Sequence, residues 1–289
     1  MLPDGRRLHL HDGPIDLIIG ADGAPDAVQR AYEAAGRRFV SVLDELCSEL
    51  PLLRTQVGKN SPPPDGAVAR RMFKAVEPYA DRCFITPMAA VAGAVAEEIL
   101  ESMTATANLD RGYVNNGGDI AVHLSHMQRY RIGMVECLKQ PSLFGALEIS
   151  SGGPIRGVAT SGWRGRSFSL GIADAVTVLA DRASAADAAA TVIANAVDLP
   201  GHPGVNRMPA CDISPDSDLG GLLVTRNVGP LSFSEITAAL DSGEYIAETL
   251  RASGLIHSAA LCLQGHTRVV SASPQEISMG VAERSLLYA

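Results

Sequence analysis

The sequence predicts an α+β fold, in which an antiparallel sheet packs against helices. Three observations carry that expectation. Short β-type runs follow one another from about residue 113 to residue 179, separated by glycine-bearing turns. Segments with apolar residues every three to four positions lie before and after them. The 289 residues are 46% hydrophobic and 19% charged, enough apolar material for a sizeable core, and at 4% aromatic that core must be aliphatic.

The elements follow in order. Arg7-Leu8-His9-Leu10 and Ile15-Asp16-Leu17-Ile18-Ile19 read as two strands around the turn His11-Asp12-Gly13-Pro14, with His9 and His11 on one strand face. Val28, Ala31, Ala35, Phe39, Val42, Leu46 and Leu50 repeat at helical spacing, so 25–50 is expected to be one support helix, opened by Pro25 and stopped by Pro51. A proline-rich loop near 58–66 separates it from helices over 67–80 and 87–103. Thr86-Pro87 supplies an N-cap and a first-turn residue for the latter. The β region then runs from Tyr113-Val114 through 120–124, 130–135, 145–149 and 155–160 to 173–179, and a helix covers 185–196. Residues 197–221 read as a long irregular loop holding His202, Arg207, Cys211, Asp212, Asp216 and Asp218; loops of that length are often functional lids. A strand at 222–225, a helix at 233–252 and a strand at 258–263 complete the order. We expect a single domain over 1–289, with an N-terminal hairpin-helix unit over 1–57 and a core over 67–289.

Composition narrows the function. A net charge of −8 argues against a nucleic-acid binder, and lysine occurs only at Lys59, Lys74 and Lys139. No apolar run approaches the roughly 18–20 residues that span a bilayer, and no secretory run follows Arg6-Arg7, so no membrane association and a cytoplasmic location are expected. The cysteines are Cys47, Cys83, Cys137, Cys211 and Cys262, an odd count without a CxxC, which points to reduced thiols. Nothing here excludes a homo-oligomer.

Three motifs carry chemistry. Asn115-Asn116-Gly117-Gly118-Asp119 between two β runs reads as a tight hairpin, and its missing side chains equally admit a ligand ring against the backbone. Thr160-Ser161-Gly162-Trp163-Arg164-Gly165-Arg166 offers hydroxyls and guanidinium groups for phosphate oxygens, and Trp163 offers a stacking face; an exposed hairpin loop is the alternative. Asp187 and Thr191 lie one helical turn apart. A Ser184-x-x-Asp187 capping arrangement explains the aspartate without chemistry, whereas a hard metal ion would use both residues. There is no GxSxG, HExxH, P-loop or GxGxxG pattern.

In this order (an Ala/Gly-rich helix, Asn-Gly-Gly-Asp, Ala159-Thr160-Ser161-Gly162, Val176-Thr177-Val178, then Ala186-Asp187-Ala188-Ala189-Ala190-Thr191) the motifs resemble the ApbE superfamily, whose best-known members are FAD:protein FMN transferases. The resemblance covers roughly residues 84–197 and is closest to the compact, functionally uncharacterised branch. It implies an α+β fold with a T-fold-like antiparallel sheet and packed helices. It also implies a flavin-nucleotide cleft (FAD or FMN) lined by Asn116, Gly117, Gly118, Asp119, Thr160, Ser161 and Gly162, with Arg164 in the same loop, and Mg²⁺ at Asp187 and Thr191. Two departures stand out. The transferases carry His-x-x-Asp-Pro-x-Thr-Gly after Thr-Ser-Gly, where this chain has Ser167-Phe168-Ser169-Leu170-Gly171. They carry Lys-Gly-Tyr-Ala-Val-Asp on the Ala-rich helix, where this chain has Ala92-Gly93-Ala94-Val95-Ala96-Glu97. The resemblance thus implies a small-molecule or nucleotide site with phosphoanhydride cleavage as the reaction class, a non-catalytic binding protein, or another small-molecule enzyme on the same scaffold. Within the 197–221 loop, Asp216, Asp218, Arg207 and His202 are candidates to replace the missing segment.

Overall fold

The computed structural model describes residues 1–135, 143–271, 277–279 and 287–288. Cys137 and Lys139 lie outside the described residues. The chain opens with the hairpin β1 (Leu8–Asp12) and β2 (Ile15–Asp22), followed by α1 (Pro25–Phe39), α2 (Val42–Ser48), α3 (Leu50–Leu53) and α4 (Ala67–Val76). A 3₁₀ turn at Pro87–Ala90 leads into α5 (Val91–Thr106). Next come β3 (Arg111–Asn116), β4 (Asp119–Leu124), β5 (Arg129–Val135), β6 (Leu143–Ser150), β7 (Gly157–Ser161), β8 (Ala175–Ala180) and α6 (Ala183–Ala196). The remaining elements are β9 (Val205–Pro209), α7 (Ala210–Ile213), β10 (Leu223–Val228), α8 (Phe233–Ala252), β11 (Ser258–Leu263), β12 (His266–Ser271), β13 (Ile277–Met279) and β14 (Leu287–Tyr288).

An eight-stranded sheet in the order β1-β2-β3-β4-β7-β8-β11-β12 forms the centre, and its paired neighbours are antiparallel throughout. The expected α+β fold is present. The β runs do not form one meander, however. β5 and β6 leave the main sheet and pair with each other in a second sheet.

Both faces of the central sheet are covered. One face, through residues such as Leu17, Val114, Ala159, Val178 and Leu261, packs in a core with α1, α5, α6 and α8. The other, through Ile120, Val122, Val158, Leu179 and Ala260, packs on Tyr130, Ile132, Leu147 and Ile149 of the β5–β6 hairpin. All six residues of β8 are buried, which is why Ala175-Val176-Thr177-Val178-Leu179-Ala180 reads as an apolar run interrupted only by Thr177 and not as an alternation.

The long helix expected over 25–50 is broken after Phe39. Ser41 accepts a hydrogen bond from Arg38 (2.9 Å) and donates one to Glu45 (2.7 Å), and these local side-chain bonds turn the chain into α2. Residues 197–221 are also more ordered than expected: β9 lies within them and pairs with β10.

The expected helix at 233–252 is α8, and it begins with a capping box. The Ser232 Oγ accepts from the Glu235 N–H, and the Glu235 carboxylate accepts from the Ser232 N–H at 2.6 Å. Ser232→Ala should cost about 1 kcal/mol in urea unfolding; a midpoint equal to wild type would show that water serves the orphaned N–H as well. Among the described residues no helix is long and apolar enough to cross a membrane, and Cys47, Cys83, Cys211 and Cys262 form no disulfide.

Candidate functional site

The site is built at one end of β4, β7 and β8, where the amino-terminal halves of α5 and α6 meet the sheet. Asn116 at the end of β3 pairs with Asp119 at the start of β4, so Gly117 and Gly118 alone make the turn. Their φ values are +66° and +117°, which side chains rarely tolerate. The Asn115 side chain accepts the Gly118 N–H (2.8 Å), and the buried Asn116 amide donates to the Ala92 carbonyl in α5 (3.2 Å). The hairpin reading therefore holds, and the same turn faces a cavity.

Across the sheet, Asp119 Oδ1 accepts the Thr160 N–H of β7 (3.1 Å), and the Thr160 hydroxyl meets that of Thr177 on β8 (2.9 Å). Gly162 follows because the strand must pass the backbone of 173–174; a Cβ there would lie 2.4 Å from the Asp174 carbonyl oxygen. Asp174 is buried and accepts from Trp163 Nε1 (3.0 Å), Arg164 Nε (2.5 Å) and the Gln264 N–H (2.6 Å). The Arg164 guanidinium also sits 4.7 Å from the centre of the Trp163 ring. Trp163 is thus not the open stacking face expected from sequence. One ring face is covered by an arginine, its N–H is committed to Asp174, and it does not line the cavity. Arg164 does line it, but as the partner of a buried aspartate.

The expected Ser184–Asp187 capping arrangement is absent, and a reciprocal one replaces it. Helix α6 begins two residues earlier than that arrangement requires, with Arg182 at the N-cap and no side chain of its own capping it. Its first turn is served from α5: Glu97 Oε1 accepts both the N–H and the hydroxyl of Ser184, each at 2.8 Å. In return, Asp187 Oδ2 accepts the Gly93 N–H in the first turn of α5 at 3.0 Å. Each helix caps the other with an acid that complements its dipole. The exchange needs close contact. A Cβ on Gly93 would lie 2.3 Å from the Ala183 carbonyl oxygen, and one on Gly157 would lie 2.1 Å from the Arg182 carbonyl carbon.

These elements enclose a cavity of about 870 Å³, a volume in the range of small-molecule and cofactor sites. Asn116, Gly117, Gly118, Asp119, Thr160, Ser161, Gly162, Arg164, Asp187 and Thr191 all line it, so one space brings together ten residues that are scattered over 75 positions of sequence (187 and 191 against 116). Sequence reasoning missed the aliphatic wall. Leu43, Leu46, Leu53, Met72, Ile85 and Val95 line the cavity as well, with Leu53, Met72 and Val95 fully buried. The cavity wall therefore combines an oxygen-rich set of residues, from the strand ends and α6, with an aliphatic set, mainly from α2, α3, α4 and α5, that belongs to the core. Asn195, one turn beyond Thr191 on the same face of α6, was also missed; its side chain holds the Leu170 N–H at 2.9 Å and accepts from Ser169.

The 197–221 candidates separate cleanly. Asp218 lines the cavity and accepts from the Thr86 hydroxyl. Arg207 is paired with Asp198 and the Leu170 carbonyl, and His202 bridges Glu235 (2.9 Å) and the Gly204 N–H (3.1 Å), so both serve the loop and not the cavity. Asp216 is not on the wall.

The electrostatics of the oxygen-rich set are unusual. Burial pushes the Asp119 carboxyl up to about 7, although the Thr160 N–H pulls the other way. Burial, and then the charge of Asp119, push Asp187 well above the usual carboxylate range against the Gly93 and Ala92 N–H groups. Both carboxylates are half-buried and face the cavity, and two neighbouring carboxylates in a poorly hydrated site favour a proton or a cation between them. Among the described residues no histidine or lysine lines the cavity; its cations are Arg54, Arg164 and Arg166.

Solved structures share the fold. A mutant of the flavin transferase ApbE from Vibrio cholerae superposes with a TM-score of 0.52 at 11% identity, covering 92% of this chain and 98% of that one. The apo flavinyl transferase ApbE of Pseudomonas stutzeri gives 0.51 at 12% identity, covering 96% and 97%. The chain belongs to the family described as AbpE bacteria, whose model matches residues 1–269. Among curated relatives, a UPF0280 protein of Methanopyrus kandleri is 41% identical over 128 residues, 44% of this chain and 48% of that protein. Another, of Methanosarcina barkeri, is 40% identical over 185 residues, 64% and 67% respectively. The matched stretch is thus about half of the first relative's length and two thirds of the second's.

Proposed function

We propose that the cavity binds a flavin or related nucleotide together with Mg²⁺, the cation at Asp187 and Thr191 with Asp119 beside them. The observation that carries this reading is the pair of half-buried carboxylates, Asp119 and Asp187, on the wall of a cavity that hydroxyls, arginines and aliphatic side chains also line. The donor set suits a hard cation. Carboxylate and hydroxyl oxygens are present, no described imidazole lines the cavity, and its one described thiol is Cys47 of α2. Among the described residues no cluster of three or more acidic, histidine or cysteine side chains is available for a metal. A cation held here would therefore take one or two carboxylates and depend on ligand phosphates for the rest of its shell. The flavin transferases of Vibrio cholerae and Pseudomonas stutzeri, which share the fold, lend support to the flavin.

In this arrangement each part of the wall has a task. Gly117 and Gly118 let a ligand approach the backbone without a Cβ in the way. Asn116 is held by Ala92 and presents its remaining polar capacity at the turn. Thr160 and Ser161 offer hydroxyls, and Arg166, whose guanidinium lies 3.4 Å from the Pro14 carbonyl oxygen, is placed to meet anionic oxygen. The aliphatic wall takes the apolar part of the ligand and excludes water from it. The cation supplies neutralising charge to phosphate oxygens, which is the requirement of phosphoanhydride cleavage. A second reading, a binding protein without turnover, is favoured by the lack of any lysine or histidine on the described wall.

Asp187→Asn tests the assignment. An amide oxygen can still accept the Gly93 N–H, so the fold keeps its cap while the buried charge disappears. The metal-free variant should melt no lower than wild type, whereas Mg²⁺-dependent stabilisation by FAD or FMN should be lost. For wild type that stabilisation is about 2.7 kcal/mol at a ligand concentration a hundred times Kd. A Mg²⁺-dependent shift that survives in the variant would move the cation elsewhere, and no shift with any flavin would remove the flavin.

A further inference from the structure

We infer that Glu97, which makes no bond to Asp187 itself, is a positioning residue that sets where Asp187 stands. This rests on the proposed metal site. The carboxylate of Glu97 is nine-tenths buried and occupied on both oxygens. Oε1 takes the Ser184 N–H and hydroxyl. Oε2 takes Arg182 Nη2 at 3.0 Å and Arg71 Nη1 at 3.4 Å. Ser184 stands three residues before Asp187, within the same turn of α6, so Glu97 fixes the end of the helix from which Asp187 projects. Without that acceptor the first-turn N–H groups of α6 lose their only side-chain cap among the described contacts, and the turn is free to fray.

The same side chain also reaches the elements that carry the aliphatic set. Arg71 lies on α4 immediately before Met72, a fully buried member of the aliphatic wall, and also binds Glu98 (3.1 Å) and Glu101 on α5. Arg38 of α1 joins Glu98 (2.8 Å) to Glu45 of α2 (2.7 Å), the helix that carries Leu43 and Leu46. Glu97 therefore stands where the oxygen-rich set and the aliphatic set are tied to one another. It couples the carboxylate's position to the wall that receives the ligand's apolar part.

The experiment is a Mg²⁺ titration by calorimetry on four variants of the full chain. Glu97→Ala should bind Mg²⁺ at least about threefold more weakly, because the turn that carries Asp187 loses a cap worth about 1 kcal/mol. Glu97→Gln, which keeps an oxygen acceptor for Ser184, should recover much of that loss. Glu97→Asp, which keeps the charge but withdraws it by one methylene, should not. Ser232→Ala removes a cap of comparable worth from α8 and should leave Mg²⁺ affinity at the wild-type value, separating positioning from general stability. Wild-type affinity in Glu97→Ala, or equal weakening in Ser232→Ala, overturns the inference. If Glu97→Ala does not fold, the order of Glu97→Asp and Glu97→Gln decides, and weaker binding by the aspartate supports the inference. If wild type itself binds no Mg²⁺, the proposed site fails, and Glu97 is judged by thermal unfolding of Glu97→Asp, Asp187→Ala and the double variant without metal. A double variant that melts higher than the summed shifts supports coupling of the two caps, and additive shifts overturn it.

Discussion

Gly93→Ala should destabilise the protein by about 3 kcal/mol and weaken the site with it. The added methyl group would lie 2.3 Å from the Ala183 carbonyl oxygen, 2.5 Å from its carbon and 2.7 Å from the Ser184 nitrogen. All three are backbone atoms at the start of a helix, so no rotamer change relieves the clash. The helices must separate, which costs about 1–3 kcal/mol by overpacking. Separation also stretches the bond from the Gly93 N–H to Asp187 and the bonds from Ser184 to Glu97, and losing a cap adds about 1 kcal/mol. Gly36 in α1 is the control, since a Cβ there meets nothing within 4 Å. Gly36→Ala should be neutral or stabilising by up to about 1 kcal/mol, because alanine is the better helix former. Urea unfolding of the two variants decides the matter: equal stability would mean that α5 and α6 do not approach as closely as described.

The metal-free protein should lose stability as pH rises from about 4 to about 7, and Mg²⁺ should reverse the trend. Asp119 has its carboxyl at about 7 in the folded state against an ordinary 3.8, and Asp187 is raised as well. A carboxyl raised on folding holds its proton more tightly in the folded chain. Its contribution is complete below about pH 4 and is lost as the pH climbs through the folded value. The slope approaches about 1.4 kcal/mol per pH unit per proton at most, so the total is a few kcal/mol. A divalent cation replaces the proton as the partner of both charges, so its stabilising effect should be small at pH 5 and largest at pH 8. Melting temperatures between pH 4 and pH 8, with and without Mg²⁺, test both halves. A flat metal-free profile, or the same Mg²⁺ gain at both ends, contradicts the account.

Local chemistry made part of this molecule legible in its sequence. The Asn-Gly-Gly turn could be read because two consecutive positive φ values require residue types that are visible without a structure. The strand runs and α8 could be read because periodicity is a short-range signal, and the Ser232–Glu235 box, equally local, was there to be read as well. The cap of α6 could not. Its acceptor, Glu97, lies 87 residues from Ser184, while a plausible local partner, Asp187, lay three residues away and was in fact committed to Gly93. The aliphatic wall was hidden for a different reason. Leu46 and Met72 obey helical spacing whether they face a core or a cavity, and hydrophobicity does not distinguish the two. β9 was overlooked because Val205-Asn206-Arg207-Met208-Pro209 alternates between half-buried and exposed positions and buries none of its residues fully.

Asp187 answers to two demands at once, since the same carboxylate holds an amide of a neighbouring helix and faces the cavity. If the proposed cation binds there, chemistry asks for its charge, whereas architecture asks only for an oxygen. A descendant without that cation would be released from the first demand and still bound by the second. Its path of drift at this position leads to asparagine, not to alanine, and it would keep the glycine at 93. Aspartate or asparagine at this position in a relative would therefore report whether that lineage still practises the chemistry, and alanine would report that the two helices have come apart.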